Sequence, residues 1–179
     1  MKNILEKTKT YLVGAMQYEN GEEWRKKVQK CLEKIGVVVF SPYEKPFLKD
    51  IDESETTRQF LLELMNKGKY GDVEKRMHEV RSYDLNLVDR ADFIIAYINP
   101  KVPTFGSVEE LVTAVRMKKP TFIAIEGKKS QCPLWILGMF PHKYIYDDID
   151  GVLDMILKIN SGEKEIDSDR WRLLKKKFR

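Results

Sequence analysis

Short apolar runs alternate with amphipathic helical segments along this chain, and this alternation constrains the fold more than any other feature. Five runs have the length and composition of strands, at positions 10–15, 37–40, 93–98, 121–125 and 144–146. Continuous apolar runs of this kind are typical of strands covered by helices on both faces. The pattern predicts a doubly wound, five-stranded parallel α/β sheet in a single domain.

The intervals between the runs show helical periodicity. Apolar residues recur at three- and four-residue spacing within 22–35, from Asp72 onward, within 106–115 and within 149–159. Segment 43–70 interrupts the regularity and is interpreted as an insertion or lid. We therefore expect one domain over residues 1–160, followed by a polar, basic tail at 161–179.

A sheet of this class is flavodoxin-like (Rossmann-like), and its ligands bind beyond the carboxyl ends of the strands, where the strand order reverses. The loops that follow Ala15, Phe40 and Ile98 are therefore the places where a site is expected.

Composition excludes several classes of function. The 32 basic and 28 acidic side chains leave a net charge of +4, and the basic excess lies mostly in the tail, which argues against a nucleic-acid partner. Two cysteines without a CxxC motif and two histidines encode neither a disulfide framework nor a zinc site. No apolar run approaches the roughly 20 residues that span a bilayer. A soluble, cytoplasmic protein without a membrane partner is expected.

Two acidic residues are predicted at positions where a carboxylate could serve a function. Glu110 is predicted in the first turn of the helix after the third strand, near the positive end of the helix dipole. Because Ser107 precedes it by three residues, the pair also matches a capping box, in which the glutamate only reaches back to the helix start. Asp84 lies on the apolar stripe of its helix, which indicates either a cleft-facing role or a half-buried ion pair.

A retaining cleavage of a glycosidic bond needs one ionised carboxylate as nucleophile and a second proton-handling group beside the leaving group. Glu110 and Asp84 are candidates for that pair. Such a reaction needs no metal ion and no organic cofactor.

Four segments resemble the nucleoside 2-deoxyribosyltransferase superfamily in order and spacing. They are 11–15 (YLVGA), 84–86 (DLN), 106–111 (GSVEEL) and 119–120 (KP). The resemblance runs from about position 10 to 146. It implies that Glu110, and not Glu109, is the nucleophile that forms a glycosyl-enzyme intermediate, and that Asp84 engages the base.

The resemblance also implies a set of substrate-binding residues. They are Gly14, Ala15, Met16, Pro42, Tyr43, Thr104, Gly106 and Ser107.

The chain departs from the transferase pattern at two positions. Thr104 stands where the transferases usually have an aspartate, and the tyrosine expected early in the first strand aligns with Leu12. A hydroxyl at the first position is instead similar to the deoxynucleoside 5′-monophosphate N-glycosidases, in which a serine there helps to hold the phosphate. Thr104 and Ser107, at a helix start, are candidates for that role.

The expected function is cleavage or transfer of the N-glycosidic bond of a small-molecule nucleoside or nucleotide through Glu110. The alternatives are a nucleoside 5′-monophosphate N-glycosidase and, in another class, a catalytically inactive nucleotide-binding or regulatory protein. A third alternative takes the basic tail as a docking element. The resemblance further implies a homodimer or higher homo-oligomer, with the apolar segment 133–140 as a candidate contact.

Overall fold

The computed structural model describes residues 3–16, 21–43, 55–102 and 104–165. Five strands and six α-helices alternate within these ranges. In chain order they are β1 (Lys9–Gly14), α1 (Gly21–Glu33), β2 (Val38–Phe40), α2 (Glu55–Asn66), α3 (Tyr70–Arg90), β3 (Phe93–Ile98), α4 (Phe105–Arg116), β4 (Thr121–Ile125), α5 (Leu134–Met139), β5 (Ile145–Tyr146) and α6 (Ile149–Ser161). Two short 3-10 turns, Lys129–Gln131 and His142–Tyr144, flank α5.

All five strands are parallel and lie in the order β2-β1-β3-β4-β5. The order reverses between β1 and β3, as it does in flavodoxin-like folds. The predicted fold class is therefore confirmed.

Two hydrophobic layers form, one on each face of the sheet, because successive residues of a strand point to opposite faces. In β3, Phe93 and Ile95 belong to the layer under α1 and α6, whereas Ile94 and Ala96 belong to the layer under α3 and α4. This double burial explains why the strands read as continuous apolar runs in the sequence.

Helix α4 begins earlier than the sequence predicted. Its N-cap is Thr104 and its first residue is Phe105, whereas the apolar pattern placed the start at Gly106 and Ser107. Phe105 is almost fully exposed and adds nothing to the buried stripe, so periodicity gives no sign of the earlier start. Glu110 accordingly lies in the second turn of α4 and not in the first.

Segment 43–70 contains α2, which packs on α3. Residues 44–54, in the first part of this segment, lie outside the described residues, as does the tail from 166 onward. No helix in the described part of the chain is long and apolar enough to cross a membrane.

Candidate active site

A cavity of about 600 Å³ opens beyond the carboxyl ends of the strands, at the point where the strand order reverses. Its floor is formed by the end of β1 and the first turns of α4, and its walls by α2 and α3. It includes nine of the ten residues that the sequence predicted as catalytic or substrate-binding: Gly14, Ala15, Met16, Pro42, Asp84, Thr104, Gly106, Ser107 and Glu110. A volume of this size is typical of small-molecule sites.

Glu110 lies on the cavity floor with 8% of its surface exposed. Its Oε1 accepts a hydrogen bond of 2.7 Å from the Tyr11 hydroxyl of β1. The capping-box alternative is wrong, because Ser107 is the third residue of the helix and Thr104 is the N-cap. The carboxylate is thus turned toward the sheet and the cavity.

Asp84 lines the same cavity from α3 and is half-buried. Met77, Val80 and Arg81, which precede it on that helix, also face the cavity. The position of Asp84 on the apolar stripe is therefore a position on the cavity wall. Two acidic side chains that are distant in sequence share one cavity.

The resemblance leads us to expect a tyrosine at position 12, where this chain has Leu12. Leu12 belongs to the hydrophobic layer under α1 and α6, on the face of the sheet away from Glu110. Tyr11 points to the opposite face, where α3 and α4 pack, and its hydroxyl reaches Glu110. The departure at Leu12 therefore stands, and the tyrosine hydroxyl beside Glu110 comes from the neighbouring residue.

Glu109, next to Glu110, is held by Arg81 of α3. Arg81 Nε donates to both carboxylate oxygens of Glu109, at 2.8 and 3.1 Å, and Nη2 donates to Oε1. The fork lies at the mouth of the cavity, which both residues line. Its hydrogen bonds lower the pKa of Glu109 and raise that of Arg81. Glu109 is therefore a partner of Arg81, whereas Glu110 faces Tyr11.

The loop after β1 is held by Arg25, which is only 2% exposed. Its guanidinium donates to the carbonyl oxygens of Gly14 at 2.8 Å, Gly21 at 2.6 Å and Ala15 at 3.3 Å. Only glycine fits at position 14, because the backbone of Tyr97 lies close by and a Cβ at Gly14 would stand 2.7 Å from its carbonyl oxygen. The cavity wall at Gly14 and Ala15 is thus a fixed piece of backbone.

Tyr43 does not take the place that the sequence gave it. Its hydroxyl donates a 2.8 Å hydrogen bond to the carbonyl oxygen of Met16, and its ring lies 5.3 Å from the Arg25 guanidinium carbon. The side chain stands behind the loop and supports Met16. Pro42, its neighbour, lines the cavity directly.

The helix start that the sequence proposed as a phosphate site lies at the cavity. Thr104 makes no side-chain capping bond, so its hydroxyl is not used to close the helix. Ser107 is buried in the cavity wall. A Cβ at Gly106 would meet nothing within 4 Å, so space is open in front of this turn.

Several cavity residues, and Arg25, which holds the loop beside the cavity, were missed in the sequence. Tyr11 was hidden within an apolar strand and Arg25 within a helix whose other charged residues face solvent. No sequence motif marks the residues of α2 and of the outer turns of α3 that line the cavity. They include Thr57, Arg58, Leu61, Arg76 and Arg81. An arginine on the inner stripe of α1, one residue after Trp24, was the single available signal for Arg25.

Among the described residues, no group of three or more His, Cys, Asp or Glu side chains is arranged to hold a metal ion.

The strand order and the cavity at the reversal point define the class: a flavodoxin-like α/β protein with a pocket of mixed charge at its switch point. The 2-deoxyribosyltransferase of Bacillus psychrosaccharolyticus has the same fold, with a TM-score of 0.57 and 21% sequence identity over 82% of this chain and 91% of that one. The fold that the sequence resemblance implied is thereby confirmed.

A CMP N-glycosidase of Clostridium botulinum superposes with a TM-score of 0.47 and 16% identity, over 83% of this chain and 98% of that chain. No family model and no curated protein matches the sequence.

Proposed function

We propose that this protein cleaves or transfers the N-glycosidic bond of a nucleoside or nucleotide, with Glu110 as the nucleophile. The observation that carries the proposal is the buried Glu110 carboxylate, oriented by Tyr11 on the floor of a nucleoside-sized cavity that Asp84 also lines. The fold shared with a 2-deoxyribosyltransferase supports the same reaction class.

In the first step a Glu110 oxygen attacks C1′ of the sugar. The C1′–N bond breaks, its electron pair passes to the base nitrogen, and a glycosyl ester of Glu110 forms. The departing base needs a proton unless it leaves as an anion, and Asp84 is the acid that we assign to assist it. The Tyr11 hydroxyl holds the Glu110 carboxylate in one rotation while the bond forms.

In the second step water or a second base attacks C1′, the bond between C1′ and Glu110 breaks, and Glu110 is released as a carboxylate. Asp84, which gave up its proton in the first step, accepts the proton of the attacking water or base nitrogen. Water gives a free sugar and makes the protein a hydrolase, whereas a second base gives a new nucleoside and makes it a transferase. Incubation with deoxynucleosides and their 5′-monophosphates, with and without an acceptor base, followed by chromatography of free base and new nucleoside, separates the two. A protein that releases no base from any of these substrates contradicts the proposal.

The second candidate is a nucleoside 5′-monophosphate N-glycosidase. It is favoured by the Thr104 hydroxyl, which does not cap its helix, and by Ser107 beside it in the cavity wall. Threonine and serine hydroxyls and main-chain amides at a helix start are suitable donors to a phosphate. Release of base from the monophosphate alone is the expected result for this candidate.

A catalytically inactive nucleotide-binding or regulatory protein is the alternative in another class, and the presence of Thr104 in place of the family aspartate favours it. Calorimetry distinguishes it, because such a protein binds a nucleotide without releasing base over many hours. Loss of activity after deletion of residues 170–179 would instead support a role of this basic stretch in docking a nucleic acid or another partner.

We further infer a homodimer or higher homo-oligomer. Leu134 and Trp135 on α5 are 85% and 78% exposed, as expected for an apolar surface that a second copy covers. Light scattering that gives the mass of one chain would contradict this.

Three further expectations stay predictions: the single domain at 1–160, the role of 43–70 as an insertion or lid, and the cytoplasmic location. The lid role is supported by α2, because this helix lines the cavity.

A further inference from the structure

The cavity is divided by charge. Its inner part carries the carboxylates of Glu110 on the floor and Asp84 on the α3 wall, whereas its outer part carries three guanidinium groups and one further carboxylate: Arg58, Arg76, Arg81 and Glu109. At 1.5 Å rise per helical residue, Arg81 and Arg76 lie roughly 4.5 and roughly 12 Å along α3 from Asp84. An occupant that reaches from the floor to the mouth passes from an acidic to a basic environment.

Arg81 shows what kind of group its position accepts. It binds Glu109 through a forked set of hydrogen bonds, the geometry in which arginine also binds phosphate. Its side chain is 52% exposed and that of Glu109 is 39% exposed, so solvent reaches the pair. An exposed ion pair contributes little to stability, so exchange of one anion for another costs little.

Arg76 is held more loosely. Its nearest acidic oxygen in the ion pair with Glu79 stands 3.9 Å away, although its side chain is only 25% exposed. Its guanidinium therefore lies against the cavity wall without a close carboxylate at Glu79. A second arginine is thus available at the mouth beyond Arg81.

We propose that Arg76 and Arg81 form an anion subsite at the mouth of the cavity, and that Glu109 occupies Arg81 until an anionic group of the ligand displaces it. The inference rests on the proposed function for the identity of the ligand as a nucleoside derivative. The group recognised is a phosphate, on either the 5′ or the 3′ oxygen of the sugar. Arg81 is then a specificity-determining residue, and Glu109 is its internal competitor.

The test measures binding by calorimetry in the full chain that carries Glu110→Gln, so that no turnover is needed. The ligands are deoxyadenosine, its 5′-monophosphate and its 3′-monophosphate. We expect one of the monophosphates to bind at least about tenfold more tightly than the nucleoside, because a hydrogen bond to a charged group contributes that much or more. The preferred isomer identifies which phosphate the subsite takes.

Three further substitutions are made in the same background. Arg81→Gln and Arg76→Gln should each reduce the preference for the phosphate by about tenfold. Lys75→Gln removes a charge from α3 in a groove outside this cavity and should leave the preference unchanged. Glu109→Gln should increase the affinity for the monophosphate relative to deoxyadenosine, both measured in that variant, by a few fold, on the order of an exposed ion pair.

Equal binding of nucleoside and both monophosphates overturns the subsite, and so does a Glu109→Gln variant that weakens the monophosphate. Failure of the proposed function looks different: the unsubstituted protein then releases no base while the phosphate preference and its loss in Arg81→Gln remain. If none of the three ligands binds, the subsite proposal fails, and base release by the unsubstituted protein decides the proposed function separately.

Discussion

The Tyr11 hydroxyl donates a hydrogen bond of 2.7 Å to Oε1 of Glu110, which joins residues 99 positions apart in the chain. Tyr11 stands on the first strand and Glu110 on the helix after the third strand, so the bond crosses the point where the strand order reverses. A strand that is covered on both faces moves little, so the Tyr11 hydroxyl holds the Glu110 carboxylate in one position. The bond therefore fixes the orientation of the candidate nucleophile before any substrate binds.

Tyr11→Phe should lower kcat by about ten- to a hundredfold with little change in KM, because the ring remains and only the orienting hydroxyl is lost. Steady-state kinetics with a nucleoside substrate measures the two constants separately. Thermal unfolding should show a Tm lowered by several degrees, because a buried hydrogen bond to a carboxylate is lost, while the variant stays folded at the assay temperature. An unchanged kcat would remove Tyr11 from the mechanism.

Glu110→Gln should reduce base release on the order of a thousandfold or more, since it removes the nucleophile while preserving shape. Glu109→Gln is the matched control on the adjacent residue and should keep turnover of a neutral nucleoside close to that of the unsubstituted protein. Chromatography of free base over time measures both. The opposite result would assign the nucleophile to Glu109.

Asp84→Asn should slow release of an ordinary purine by roughly ten- to a thousandfold, because the base then leaves without its proton donor. A nucleoside of a 7-methylated purine carries a positive charge and leaves without protonation, so its release should be nearly unaffected. The ratio of the two rates in the variant is the measurement. An equal loss for both bases would make Asp84 a binding residue only.

The sheet and the residues of its core could be predicted because buried parallel strands leave continuous apolar runs, as at Phe93–Ile98 and Thr121–Ile125. The start of α4 could not be predicted, because Thr104 and Phe105 add no buried apolar side chain to the helical pattern. Tyr11 was hidden because a tyrosine in an apolar run looks like a packing residue. The place of the α3 arginines in the cavity could not be predicted, because a helical pattern shows which face of a helix is apolar but not which element packs against each face.

Arg25→Met should destabilise the protein by about 3 kcal/mol or more, because three backbone carbonyls lose a charged donor in a buried place. Methionine retains much of the side-chain volume, so the loss reports the hydrogen bonds more than packing. Denaturant unfolding measures the change. Lys26→Met on the exposed face of α1 is the control and should change stability by less than about 0.5 kcal/mol.

The Arg81–Glu109 pair predicts a small dependence of stability on acid. Arg81 lowers the pKa of Glu109 in the folded state, so the folded protein binds this proton less readily than the unfolded chain does. The contribution is complete above the ordinary pKa of a glutamate and is lost as the pH falls through the lowered value. Unfolding curves from pH 7 to pH 2 should show the unsubstituted protein lose more stability than Glu109→Gln. Parallel curves would show that the pair contributes nothing.

Helix α2 lines the cavity, packs on α3 and lies between the second strand and that helix in the chain. The candidate nucleophile Glu110 is hydrogen-bonded to Tyr11 of the sheet, whereas this part of the wall is held by α3. Substitutions in α2 can therefore change which molecules enter the cavity without moving Glu110. The helix that limits which ligand enters the cavity is thus separate from the residue that we propose to react with it.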